Sequence, residues 1–144
     1  MKIRNVIPED YLQIHIINEL AFQKYYPAEK TKIKIENILS KPTDIIFVAE
    51  IDDTVVGYVH VADYELTYYD SMKNIVSIAV NPMFQGKGIG KALLLKAEEW
   101  AVNDGACGIR LVSGETRKGA HEFYKKMNYI QNSKQFNFII TLPR

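Results

Sequence analysis

Apolar residues recur at helical spacing along the first forty positions and fall into short alternating or continuous runs afterwards, which predicts helices first and strands later. Ile3 to Val6 reads as a short strand, and Pro8-Glu9-Asp10 places a proline and two acids where a helix N-terminus favours negative charge. A first helix follows, with Leu12, Ile16, Leu20 and Phe22 to Tyr25 on its apolar stripe, Ile14 and Ile17 widening it, and Pro27 ending it. A second spans about Thr31 to Leu39, carries Ile35, Ile38 and Leu39, and closes at Ser40-Lys41-Pro42. Ile45 to Ile51 and Thr54 to Ala62 are rich in β-branched and aromatic residues, and Asp52-Asp53 between them predicts a tight antiparallel hairpin. Gly57 inside the second strand marks a bulge or a close backbone approach. Asp63 to Lys73 is polar and tyrosine-rich and reads as a loop.

Asn74 to Val80 predicts the next strand, followed by a glycine-rich turn and a helix whose Leu93, Leu94, Ala97, Trp100 and Ala101 define one apolar face. Asn103-Asp104-Gly105 stops that helix. Cys107 to Val112 is a strand, so strand, helix and strand together imply a parallel crossover. Ser113-Gly114-Glu115-Thr116 is a turn in which Thr116 can cap a helix over Arg117 to Met127, with Ala120, Phe123, Tyr124 and Met127 at helical spacing. Phe136 to Leu142 alternates as a final strand. The order β-α-α-β-β-β-α-β-α-β is a mixed α/β (α+β) layout in which helices flank a central, mostly antiparallel sheet.

Composition narrows the function classes. A chain of 144 residues is read as a single domain, 1–144, and its 47% hydrophobic and 24% charged residues fit a soluble globular protein. A net charge of +1 supplies no field for nucleic acid or an anionic membrane, so neither is expected as a partner. Cys107 is the only cysteine, which excludes an intramolecular disulfide and a cysteine-built metal cluster, and no metal is expected. The N-terminus turns polar at Pro8 and no run approaches membrane-spanning length; the expectation is a cytoplasmic protein.

The candidate chemistry lies in Asn81-Pro-Met-Phe-Gln85-Gly-Lys-Gly-Ile-Gly-Lys91. Gly86, Gly88 and Gly90 allow sharp turning, positive φ and close approach of a bulky anion to the backbone. The helix start behind them adds unpaired N–H groups and the positive end of the helix dipole, which together make an anion cradle. Two common phosphate fingerprints do not fit. A P-loop needs Gly where Gln85 stands and Ser or Thr where Ala92 stands, and the dinucleotide fingerprint needs Gly at Lys91. The pattern Gln85-Gly-x-Gly-x-Gly-Lys91-Ala-Leu-Leu after Ile78-Ala79-Val80-Asn81-Pro82 resembles the acetyl-CoA-binding motif of the GNAT N-acetyltransferase superfamily. Ala120-x-x-Phe123-Tyr124 with Asn128-Tyr129 resembles a second segment of that family. Asn128 replaces a usual glycine but tolerates the left-handed conformation, and Arg117 stands where many members have Asn.

The resemblance implies a GNAT-like fold over essentially the whole chain and an acetyl-CoA-dependent N-acetyltransferase that acts on a primary amine of a small molecule or peptide. Ile78 and Val80 would bind the pantetheine arm through the main chain, and the Val80 N–H would polarise the thioester carbonyl. Gln85, Gly86, Lys87, Gly88, Ile89, Gly90 and Lys91 would hold the pyrophosphate, Arg117 and Lys118 would add phosphate contacts, and Tyr124 would protonate the departing thiolate. The strand Asn74 to Ile78 has no carboxylate to serve as general base, leaving His60, Asp63, Glu65, Asp70, Glu115 and His121 as candidates. Tyr25, Tyr26, Tyr64, Tyr68 and Tyr69 are candidates to wall an amine pocket. The alternative is a non-catalytic coenzyme A-binding module or sensor. A homodimer through the terminal strand and apolar strand edges is the expected association.

Overall fold

A computed structural model describes all 144 residues and divides into two compact units, Met1–Val112 and Ser113–Arg144. The first unit runs β1 (Lys2–Asn5), α1 (Tyr11–Phe22), α2 (Ala28–Leu39), β2 (Asp44–Ile51), β3 (Thr54–Leu66), β4 (Tyr69–Val80), α3 (Ile89–Asn103) and β5 (Ile109–Leu111). Its five strands form one sheet in the order β1-β2-β3-β4-β5. Neighbours are antiparallel except β4 and β5, which are parallel and connected through α3.

Side chains alternate across a strand, so each face of the sheet is available to a different helical layer. On one face Val48, Tyr58 and Ala79 pack with Ile14 and Ile17 of α1 and Ile35 of α2. On the other, Gly57 is overlaid by Ile89 and Leu93 of α3. The β2–β3 hairpin turns at Asp52 and Asp53, both with positive φ (49° and 63°), the geometry of a two-residue type I′ turn. A bulge interrupts its register: Glu50 pairs with Val55, whereas Ala49 pairs with Gly57. One extra residue on β3 exchanges the faces of every position beyond it.

The supposed loop at 63–73 is instead the far end of a long hairpin, with Asp63 opposite Lys73 and Tyr64 opposite Met72. Its polarity reflects solvent exposure, while its tyrosines suit a pleated strand. The apolar stripe of α1 is also rotated from expectation. Ile14 and Ile17 are 4% and 1% exposed, while Leu12, Ile16 and Leu20 lie on the open side at 51%, 46% and 48%. Both sets have helical spacing, and packing on the sheet selects between them. Gln23, left-handed at φ 55°, ends the helix before Tyr25 is reached.

In the second unit α4 spans Lys118–Lys126 and its N-cap is Arg117 rather than Thr116. Its end follows the expected chemistry: Asn128 has φ 69°, its N–H donates to the Lys125 carbonyl at 3.0 Å, and the Tyr129 N–H donates to the Tyr124 carbonyl at 2.9 Å. This pair of bonds is a Schellman motif, with Tyr129 against Tyr124 at 6.1 Å between ring centroids. Phe136 to Leu142 does not form the predicted strand and has no regular structure. Alternation makes a segment compatible with a sheet, but a strand exists only through a paired neighbour, and this one has none.

Candidate active site

β4 pairs with β5 only over Lys73, Asn74 and Ile75, so the edge of β4 that faces β5 is unpaired from Val76 to Val80. The Asn81 N–H donates to the Val56 carbonyl at 2.8 Å, toward β3. Backbone donors alternate sides along a strand, which turns the Val80 and Ile78 N–H groups to the unpaired edge. Their side chains remain half-buried, so backbone chemistry and packing use different atoms of the same residues.

The chain leaves β4 through a 3-10 turn at Pro82–Phe84, fixed by Asn81, whose Oδ1 accepts from the Met83 N–H at 3.0 Å. Gln85 ends that turn, and Gly86 and Gly88 follow at φ 78° each. A Cβ at either glycine would meet no atom within 4 Å, so the turn opens to solvent and glycine is required by backbone conformation rather than crowding. Gly88 is the N-cap of α3. The N–H groups of Gly88, Ile89, Gly90 and Lys91 form no hydrogen bond within the protein. Lys87 lies over the Phe84 ring with Nζ 5.2 Å from its centroid, which holds a cation at the turn. These features suit a pyrophosphate: an open turn, unpaired backbone donors at a helix start and positive charge.

In the second unit Tyr124 is half-buried on α4, edge-on to Phe123 at 5.3 Å. Burial pushes its phenol above the ordinary range, and the Arg117 charge offsets part of the rise. The hydroxyl is therefore a proton donor throughout neutral pH. His121 donates from Nε2 to the Gly114 carbonyl at 2.9 Å, tying the turn before α4 to the helix. Ser113 has a buried hydroxyl without a hydrogen-bond partner.

The other candidates separate. Asp63 receives a hydrogen bond from Lys73 Nζ at 2.5 Å, and Glu65 accepts from Ser71 at 3.0 Å. The Arg110 guanidinium covers the Tyr64 ring at 4.3 Å, while Tyr25, Tyr26, Tyr68 and Tyr69 are exposed on different segments, so the five tyrosines do not form one group. His60 is the exception. Its Nε2 meets Asp44 Oδ2 at 2.7 Å, both side chains are 12% exposed, and His60 stands directly opposite Ser77 of β4. Asp44 was not legible from the sequence, because only the bulge brings it to the face that carries His60.

The acetyltransferase (GNAT) family matches residues 11–129. An uncharacterized N-acetyltransferase of Methanocaldococcus jannaschii is 32% identical over 134 residues, covering 88% of this chain and 59% of its own length. The chain therefore spans less than two thirds of that relative. An uncharacterized N-acetyltransferase of Archaeoglobus fulgidus is 29% identical over 120 residues, covering 81% of this chain and 82% of its own. Among solved structures, an aminoglycoside N-acetyltransferase in complex with CoA superposes with a TM-score of 0.83 at 15% identity, covering 99% of this chain and 95% of that one. The family match crosses both units, and on it the chain belongs to the acetyltransferase (GNAT) family.

Proposed function

We propose that the chain is an acetyl-CoA-dependent N-acetyltransferase, that residues 1–144 work as one domain, and that the acetyl group passes directly to a primary amine of a small molecule or peptide. The observation that carries this is the open glycine turn, with its unpaired N–H groups, at the end of a strand whose edge is also unpaired. In this reading the N–H groups of Gly86 to Lys91, with the charges of Lys87 and Lys91, hold the pyrophosphate, and Arg117 adds a phosphate contact. Gln85 shapes the entry to the turn. The main chain of Ile78 and Val80 holds the pantetheine arm, and acetyl-CoA supplies the activated acetyl thioester.

The neutral amine attacks the thioester carbon, forming the C–N bond as the C–S bond breaks. The Val80 N–H supports the negative charge that develops on the carbonyl oxygen. Tyr124 donates a proton to the departing sulfur, and the proton lost by the amine passes to solvent or a side-chain base. Because β4 offers no carboxylate from Asn74 to Val80, a coenzyme A-binding protein without turnover is the second reading. Incubating the protein with acetyl-CoA and a panel of amines, and measuring free thiol together with acetylated product, separates the two. Acetyl transfer to any amine excludes the second; stabilisation by acetyl-CoA with no transfer across the panel excludes the first.

A further inference from the structure

We propose that the groove between α2 and the β2–β3 face of the sheet binds a small molecule through a carboxylate or phosphate group. The groove has a volume of about 480 Å³, within the range of small-ligand sites. Lys34, Asn37 and Ser40 of α2 and its C-cap line one wall, Lys41 lies at the exit of the helix, and Asp44 and His60 form the floor. The glycine turn and α3 belong to the opposite face, so this site is separate from the pyrophosphate cradle and stands independently of it.

The charges in the groove are not self-compensating. Asp44 is already engaged, accepting from Thr43 at 2.6 Å and from His60 at 2.7 Å. Burial pushes its carboxyl up, but the hydrogen bonds from Thr43 and His60 and the charges of His60 and Lys41 outweigh this and hold it below the usual range. Asp44 is therefore an anion, and the imidazole nitrogen facing it carries the proton. Neither Lys34 nor Lys41 has a carboxylate partner in a salt bridge. His60 Nδ1 forms no hydrogen bond in the protein. With Asp44 ionised, the two ammonium groups of Lys34 and Lys41 leave the groove one positive charge in excess, which favours an anionic oxygen group over an amine.

The protein has three histidines, and long-range proton–nitrogen NMR of the imidazoles, assigned with His60→Gln, reads the site directly. Sodium acetate, sodium phosphate and methylammonium chloride are titrated separately at fixed pH and ionic strength. The expected result is a saturable shift of the His60 signals with acetate or phosphate and none with methylammonium. The stronger of the two anions identifies the acid group. Lys34→Gln with Lys41→Gln, both exposed positions, should leave the fold intact and weaken the anion on the order of tenfold. No saturable anion shift at His60, equal binding in the double variant, or a preference for methylammonium overturns the proposal.

Discussion

The β-carbon that Gly57 lacks would stand 3.0 Å from the Ala79 carbonyl oxygen, with Ile89 and Leu93 each 3.2 Å away. Backbone cannot yield as a flexible side chain can, so the contact sets how closely α3 lies on the sheet. Gly57→Ala is expected to destabilise the protein by about 1–3 kcal/mol through overpacking. Urea unfolding should show a lower midpoint with an unchanged slope. An unaltered midpoint would mean that β3 and α3 separate without cost.

Gly88→Glu tests the cradle. The residue has φ 78°, so any side chain costs about 1–2 kcal/mol there, and the carboxylate repels phosphate. The wild type should gain about 2.7 kcal/mol of stability at acetyl-CoA concentrations a hundredfold above Kd. Thermal melts of the folded variant should show no such gain; a preserved shift assigns the cofactor to another surface.

Tyr124→Phe keeps the ring that meets Phe123 and Tyr129 and removes only the hydroxyl. Folding should survive, and kcat should fall on the order of 10²-fold with little change in acetyl-CoA affinity. Phe123→Leu is the packing control, expected to lower stability more than turnover. Near-wild-type kcat in Tyr124→Phe, where chemistry limits the rate, would remove the acid role and leave cofactor binding in place.

Ser113→Ala removes a buried hydroxyl that has no partner. Its cost in the native state is a desolvation penalty with no compensating bond, so the variant should be unchanged or more stable by about 1 kcal/mol. A loss of more than that in chemical denaturation would show that the hydroxyl has a partner in solution.

Lys73 has a 5% exposed side chain whose ammonium lies between Asp63 and Asp104 and 4.3 Å from the Trp100 ring centroid. Burial alone lowers its pKa, but the hydrogen bonds that it donates to Asp104 and Asp63 raise it overall. A raised pKa contributes stability that is complete below the unfolded value, about 10.5, and is lost as pH rises through the folded one. Wild type should lose stability above that pH, and Lys73→Met should lose less over the same interval. Parallel alkaline dependences in the two proteins would contradict this.

The glycine turn was legible because Gly86 and Gly88 have a local reason to be glycine, and Asn128 because its left-handed turn follows from neighbouring residues. The same holds for Asp52-Asp53, whose turn depends on four consecutive positions. The exposure of Leu12, Ile16 and Leu20 was not legible, since helical spacing identifies two stripes and only the sheet chooses one. The pairing of Asp44 with His60 was hidden for a related reason. Counting back from the turn without the bulge assigns them to opposite faces, and the bulge at Ala49 and Glu50 reverses that assignment. Phe136 to Leu142 shows the converse, where an alternating pattern has no pairing partner to make it a strand.

The coincidence of spatial and chain order in the sheet bears on synthesis. β2, β3 and β4 each add to the strand made just before them, and β5 reaches the edge of β4 after one helix. A chain emerging from the ribosome can therefore extend its sheet at one growing edge, with no earlier strands to part for a later one. By the time Val112 has been added, every strand of the first unit has been made, and a nascent chain held at that length with its last residues clear of the exit tunnel should already protect its β3 amides from hydrogen exchange.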